Sequence, residues 1–272
     1  SFIHISDIDY IVEADTPLIE LPPAGISEVE RAIGKNCASL IEDGDTLQLG
    51  IGAIPDAVLG FLKEKKDLGI HSEMISDGIV ELYEAGVITN RRKSLHAGKS
   101  IVTFLMGTRK LYDFADNNPA VELHPVDYVN DPYVIAQNER LVSVNSCVQV
   151  DLMGQVVSAS VGRRQISGVG GQVDFVRGAN MSRGGKSIMA MPSTAAEGRI
   201  SKIVPVIGEG AAVTTSRYDA DYIVTEYGTA RLKGETLRNR ARKLIRIAHP
   251  DFRRMLAEEY EKRFREAWSD DE

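Results

Sequence analysis

"LQLGIGAIPDAVLGFL", from Leu47 to Leu62, places an alternating apolar stretch, two close glycines and a proline ahead of an amphipathic segment. Leu47 and Leu49 alternate with Thr46 and Gln48, the period of a short strand. Pro55 follows where proline is best tolerated, in the first turn of a helix. Gly50 and Gly52 are the hinge between the two. Such a glycine pair has two readings: a tight strand-to-helix turn that needs positive φ, or a backbone that a ligand must approach closely.

Working outward, the same alternation recurs. Ser27 and Glu30 form an S-x-x-E capping box, and Val29, Ile33, Cys37, Leu40 and Ile41 recur on one face of a helix expected to end near Gly44. Thr46 to Gly50 reads as a strand, Pro55 to Glu64 as a helix, Gly69 to Ser72 as a short strand and Gly78 to Ala85 as a helix. "KSIVTFLMG" (Lys99 to Gly107) reads as one buried strand, followed by a helix over "TRKLYDFADNN". Strands alternating with helices imply βαβ units and a mostly parallel α/β sheet, with ligands beyond the carboxyl ends of the strands. From Arg140 the texture turns to β alternation with a hairpin turn at Met153-Gly154, and "KSIMAMP", "KIVPVI", "AAVTTS" and "DYIVTEYG" read as further strands. Two helices broken at His249-Pro250 close the chain, their charges expected on a solvated face.

Composition bounds the function. The 272 residues, 43% hydrophobic and 26% charged, suit one large domain or two small ones. A net charge of −7 argues against a general nucleic-acid binder, and no apolar run has the length of a membrane span. Only two cysteines, Cys37 and Cys147, far apart, suit a reducing cytoplasm better than a disulfide scaffold. His4, His71, His96, His124 and His249 show no zinc-ligand spacing with them, so no metal is expected. The first residues carry neither an initiator methionine nor a signal-peptide charge pattern, and residues 1–25 read as an extended or interdomain arm closed by Pro22-Pro23.

The chemistry is sought in "GIHSEMISDG", where Glu73 follows a short apolar strand and precedes a Ser-Asp-Gly turn. A glutamate in such a loop is ordinarily a solvent-facing residue. Here it stands at a strand's carboxyl end, beside the Gly-Ile-Gly turn, and "SGVGGQVDF" (Ser167 to Phe175) offers a second glycine-rich loop at a helix start. Together with "LGIGAIPDAV", "HSEMISDG", "NDPYVIAQNE", "VNSCVQVDLMGQV", "SGVGGQVDFVRGA", "PSTAAEGRISKIVP", "VTEYGTARLKG" and "IAHPDFR", in this order, the sequence resembles the acetyl-CoA hydrolase/transferase group of class I CoA-transferases. The resemblance covers nearly the whole chain.

That resemblance implies a NagB/RpiA/CoA-transferase-like open sheet flanked by helices, with residues 26–272 as the C-terminal catalytic domain and a preceding α/β domain, absent from these residues, completing the site. It implies transfer of CoA between a short-chain acyl-CoA, of butyryl or 4-hydroxybutyryl type, and a carboxylate such as acetate. Glu73 would be the nucleophile, passing through an acyl-glutamyl anhydride and a glutamyl-CoA thioester. By the same resemblance Gln48, Leu49, Gly50, Ile51 and Gly52 contact CoA, with the N–H of Ile51 or Gly52 in an oxyanion hole, and Gly170 and Gly171 supply a second donor and CoA contact. Asn130 and Glu226 would be polar residues near the reacting carboxylate, although each could instead cap a turn. Gln149 receives no catalytic role. CoA enters as substrate, with no prosthetic group, and a cytoplasmic homo-oligomer is expected by analogy. The rival readings are an acyl-CoA hydrolase on the same scaffold, a noncatalytic CoA- or nucleotide-sensing module, and a sugar-phosphate isomerase sharing the superfold.

Overall fold

The computed structural model of the chain describes residues 3–168 and 170–269. Ser1 and Phe2 of the expected arm, Val169 of the second glycine loop and residues 270–272 of the catalytic portion lie outside the described residues. The central sheet has strands β1 (Thr46–Leu49), β2 (Gly69–Ile70), β3 (Leu141–Ser146), β4 (Lys186–Ala190), β5 (Tyr222–Thr225) and β6 (Gly228–Arg231). Their order is β6-β5-β4-β3-β1-β2, parallel throughout except for the β5-β6 hairpin. Beyond β2 a parallel bridge from His71 to Ile101 carries the sheet on to the parallel pair Ser100–Val102 and Val121–Leu123.

Six helices matter for the site: α1 (Glu28–Ala38), α2 (Ala53–Gly60), α3 (Asp77–Glu84), α4 (Gln172–Met181), α5 (Leu237–Arg246) and α6 (Pro250–Phe264). Successive strand residues point to opposite faces. Val142 and Val144, Ile188 and Ala190, and Val224 therefore face a core completed by α1 and α2, while Leu141 and Met189 face Phe175, Val176 and Ala179 of α4. Ile223 joins Met189 in the core completed by α5 and α6. Both faces of the sheet are covered, as parallel sheets require.

The capping box forms as expected: the Glu30 N–H donates to Ser27 Oγ at 3.4 Å, and the Ser27 N–H to Glu30 Oε2 at 2.8 Å. Met153-Gly154 turns a hairpin between Gln149–Asp151 and Val156–Val157, with Gly154 at φ +86°. Several boundaries differ. The first helix stops at Ala38, six residues before Gly44, and Val29 stays exposed on it. Pro55 is the third residue of α2, which begins directly after Gly52 and ends at Gly60. The expected strand from Lys99 to Gly107 is two, Ser100–Val102 and Phe104–Leu105, because the Thr103 and Phe104 N–H groups both donate to the Glu73 carbonyl and bend the chain there. "AAVTTS" makes only an isolated bridge from Thr215 to Val156, with the Thr214 and Thr215 N–H groups sharing the Val156 carbonyl. The basic face of α5 is not wholly solvated, since Arg240 is buried and its guanidinium donates to the Arg217 and Glu235 carbonyls. No helix among the described residues is long and apolar enough to cross a membrane.

Candidate active site

Glu73 emerges three residues past β2, half-buried, and its own carbonyl is held by the two N–H groups just named. Its side chain meets the start of α4, where the Gly171 N–H donates to Glu73 Oε2 at 3.1 Å. Asn130 ends the short helix Val126–Val129 and is 9% exposed. A Cβ on Gly171 would lie 2.6 Å from both Asn130 Nδ2 and Glu73 Oε2, so all three residues meet at one point and only glycine leaves room for them. Gly170, at φ +56°, adopts the left-handed conformation that lets the loop enter α4. Asn130 Oδ1 is buried with no hydrogen-bond partner among the described residues.

The mouth over Glu73 is an open cavity of about 440 Å³ lined by Glu73, Val126, Asp127, Asn130, Asp131, Gly170 and Asp174. Burial pushes the Asp174 carboxyl up, and the nearby Asp131 charge adds to that against the pull of Arg177. These three aspartates were not foreseen. Asp131 caps the helix Pro132–Ala136 through the Tyr133 N–H, and Asp174 occupies the first turn of α4, so each has a local role that hides its place at the mouth.

The first glycine turn is near but not in the same cavity. Ser72, beside Glu73, anchors β1 through its hydroxyl, accepting from the Leu49 N–H at 3.4 Å and donating to the Leu49 carbonyl at 3.2 Å. The following residues, Ile51 and Gly52, line a separate cavity of about 500 Å³ with Leu21 to Ala24, Asp56, Ser76, Asp77 and Met106. Gly52 sits at φ +111°, and a Cβ on Gly50 or Gly52 would meet no atom of the described residues within 4 Å. Nothing in the described fold therefore requires glycine at 50 on steric grounds, and the space beside the turn is open to a ligand. Gln48 is different. It is 4% exposed, its Oε1 accepting from the Ser143 hydroxyl at 2.7 Å and the Asn145 amide at 3.1 Å inside the sheet.

Glu226 is not among the residues lining the mouth over Glu73. It follows β5, with β4, β3 and β1 lying between that strand and β2. Its carboxylate receives the Ser193 N–H at 2.8 Å and the Ser193 hydroxyl at 2.6 Å, which pins the loop after β4. Gln149 begins the small hairpin strand paired with Val157. The arrangement offers a carboxylate steadied by a backbone N–H, an adjacent amide and two glycine-rich backbones. It can deliver a nucleophilic oxygen to a carbonyl and receive the resulting oxyanion on N–H groups.

Residues 107–260 match the family model of the acetyl-CoA hydrolase/transferase C-terminal domain. The chain is 70% identical over 264 residues to the 4-hydroxybutyrate coenzyme A transferase of Clostridium kluyveri, covering 97% of this chain and 62% of that protein. It is 44% identical to the butyryl-CoA:acetate CoA-transferase of Anaerostipes caccae, over 96% of this chain and 60% of the relative. Among solved structures, RipA from Yersinia pestis superposes with a TM-score of 0.90 at 48% identity, over 96% of this chain and 59% of that one. The chain thus spans about three fifths of the length of these relatives. With the family model matching more than half of its residues, the chain belongs to the acetyl-CoA hydrolase/transferase family.

Proposed function

We propose that the protein carrying this chain moves CoA between a short-chain acyl-CoA, of 4-hydroxybutyryl or butyryl type, and a carboxylate such as acetate, with Glu73 as the covalent nucleophile. The observation that carries this reading is the Gly171 N–H on Glu73 Oε2 with the Asn130 amide beside it. The Glu73 carboxylate attacks the thioester carbonyl, the C–S bond breaks, and CoA leaves as the thiolate. The thiolate then attacks the glutamyl carbonyl of the mixed anhydride, releasing the first acid as its carboxylate and leaving a glutamyl-CoA thioester. The acceptor carboxylate reverses both steps. A carboxylate nucleophile suits this exchange because each bond it forms is readily broken again. Gly170 and the Gly50 to Gly52 turn supply N–H groups for the developing oxyanion and the CoA chain, one such donor being worth about 2.7–4 kcal/mol in the transition state.

Asn130, with its unpaired Oδ1, orients the reacting groups. Glu226 acts at more remove, by holding Ser193 and with it the loop at the carboxyl end of β4. Residues 26–272 form the catalytic portion and residues 1–25 the arm, the latter touching it through the Leu21 N–H to the Gly107 carbonyl and the Tyr112 hydroxyl to the Ile19 carbonyl. In the whole protein the open mouth must be closed against water, which would otherwise hydrolyse the anhydride. Incubation with acyl-CoA followed by borohydride tests the reading. Reduction of the glutamyl thioester to an alcohol takes about 14 Da from the Glu73 peptide, as for a covalent intermediate. Modification of another peptide, or release of free acid with no CoA passed to acetate, would overturn it in favour of another nucleophile or of hydrolysis.

A further inference from the structure

We propose that His71 is a positioning residue that braces the three separate pieces of chain forming the Glu73 site. Its imidazole is fully buried, and Nε2 lies 2.9 Å from the Val129 carbonyl oxygen. A carbonyl only accepts, so Nε2 carries the proton and Nδ1 is bare. Each end of that bond leads to the site. His71 precedes Glu73 by two residues on the same extended segment, and Val129 directly precedes Asn130. The third piece is α4: the His71 ring lies against Phe175, with centroids 6.2 Å apart, one turn into the helix whose first N–H groups include that of Gly171. The main chain of His71 is itself fixed, its N–H donating to the Leu47 carbonyl and its residue bridging to Ile101.

The chemistry suits a rigid brace rather than a proton carrier. Nδ1 is buried without a partner among the described residues, so a second proton there would have no acceptor among them. Burial holds the imidazole pKa down to about 4, and the charges of Lys93, His96 and His124 oppose protonation further, so the ring stays neutral and the donor tautomer persists at neutral pH. With the brace removed, the hydrogen bond that ties the Glu73 segment to the Asn130 segment is lost and the packing at Phe175 changes, so Glu73, Asn130 and Gly171 shift relative to one another. A displacement of about 1 Å there is enough to slow a reaction by about 10²-fold.

The kinetic half of this inference rests on Glu73 being the nucleophile, whereas the geometric half does not. The test compares His71→Leu, which keeps apolar bulk and loses the donor, with His71→Gln, whose amide nitrogen reaches the Nε2 position, and His71→Asn, whose amide does not. Hydrogen exchange at the Gly171 amide reads the geometry, and kcat and KM for CoA transfer read the consequence. Expected are exchange at least about tenfold faster in the Leu and Asn variants, a kcat about 10²-fold lower with KM changed far less, and recovery of both in the Gln variant. Should His71→Leu fail to fold, the Gln and Asn pair decides alone. Equal behaviour of Gln and Asn, or lowered stability with unchanged Gly171 exchange and unchanged kcat, would overturn the proposal and leave His71 as packing. An enzyme lacking any Glu73 adduct would refute the nucleophile instead, while Gly171 exchange would still decide the brace.

Discussion

At Gly171 one methyl group separates a close contact from a blocked one. Glycine is needed there for close approach rather than for an unusual φ, since its φ is −83° and the obstruction is Glu73 Oε2 and Asn130 Nδ2. Gly171→Ala should therefore fold, with native circular dichroism, yet lose about 10²-fold in kcat because the carboxylate or the amide must move aside. Glu73→Gln is nearly isosteric in the same polar setting. It should keep CoA affinity by calorimetry while transfer falls by roughly 10³-fold or more, provided deamidation back to glutamate is excluded by mass. Glu73 was legible in the sequence because a strand end, a glycine turn and a motif coincide in "GIHSEMISDG". His71, two residues earlier, carries no signal in the sequence beyond the lack of zinc-ligand spacing, since its partner is a carbonyl 58 residues away in the chain.

At the scale of single elements, local chemistry was read correctly where it is local. The S-x-x-E box over Ser27 and Glu30 closes as written. Replacing Ser27 by alanine should cost about 1 kcal/mol in urea unfolding, because an N–H in the first turn of α1 loses its acceptor. Where neighbouring elements intervene, the reading slipped. β1 has the alternation of a half-exposed strand, but all four of its residues are buried, Gln48 included, since β3 supplies Ser143 and Asn145 as polar partners. The Lys99 to Gly107 run carries no sign of its break at Thr103, which is imposed by the Glu73 carbonyl across the sheet. The seating of α4 is equally tertiary: a Cβ on Gly178 would come 2.3 Å from Ile135 Cγ2 on the adjoining helix. Gly178→Ala should destabilise the fold by about 1–3 kcal/mol as an overpacked contact, measured by the urea midpoint at constant slope.

Over the whole molecule, two buried bases tie stability to pH in the same direction. Burial lowers the Lys93 ammonium to about 7, its Nζ held at 2.7 Å by the Ile70 and Lys99 carbonyls, and lowers His71 to about 4. In both cases the unfolded chain binds the proton more readily, so the contribution to stability is fully present above the unfolded pKa and is lost as pH falls through the folded one. For Lys93 that window runs downward from the ordinary lysine range to about 7, and for His71 from about 6.5 to about 4. Urea unfolding at pH 7.5 and pH 5 should show the wild type losing more stability than His71→Gln, which has no imidazole to protonate. Parallel losses in the two proteins would count against a buried neutral ring.

The sequence by itself determined what depends on short-range pattern: the alternation of strands and helices that makes an α/β protein, the capping box, the hairpin at Met153-Gly154, the presence of a glutamate at a strand end and of two glycine-rich turns, and the motif order that marks the family. Tertiary structure decided which of those pieces meet. It joined Glu73, Asn130 and Gly171 from three stretches of chain, put Ile51 and Gly52 on a neighbouring cavity, placed Glu226 on Ser193 across the sheet, and set three aspartates around the mouth. The physical reason is that a residue's periodicity and local hydrogen bonding are fixed by its near neighbours, whereas strand order and the seating of a helix follow from burying both faces of one sheet at once. Only that packing brings carbonyls and N–H groups dozens of residues apart to within 3 Å.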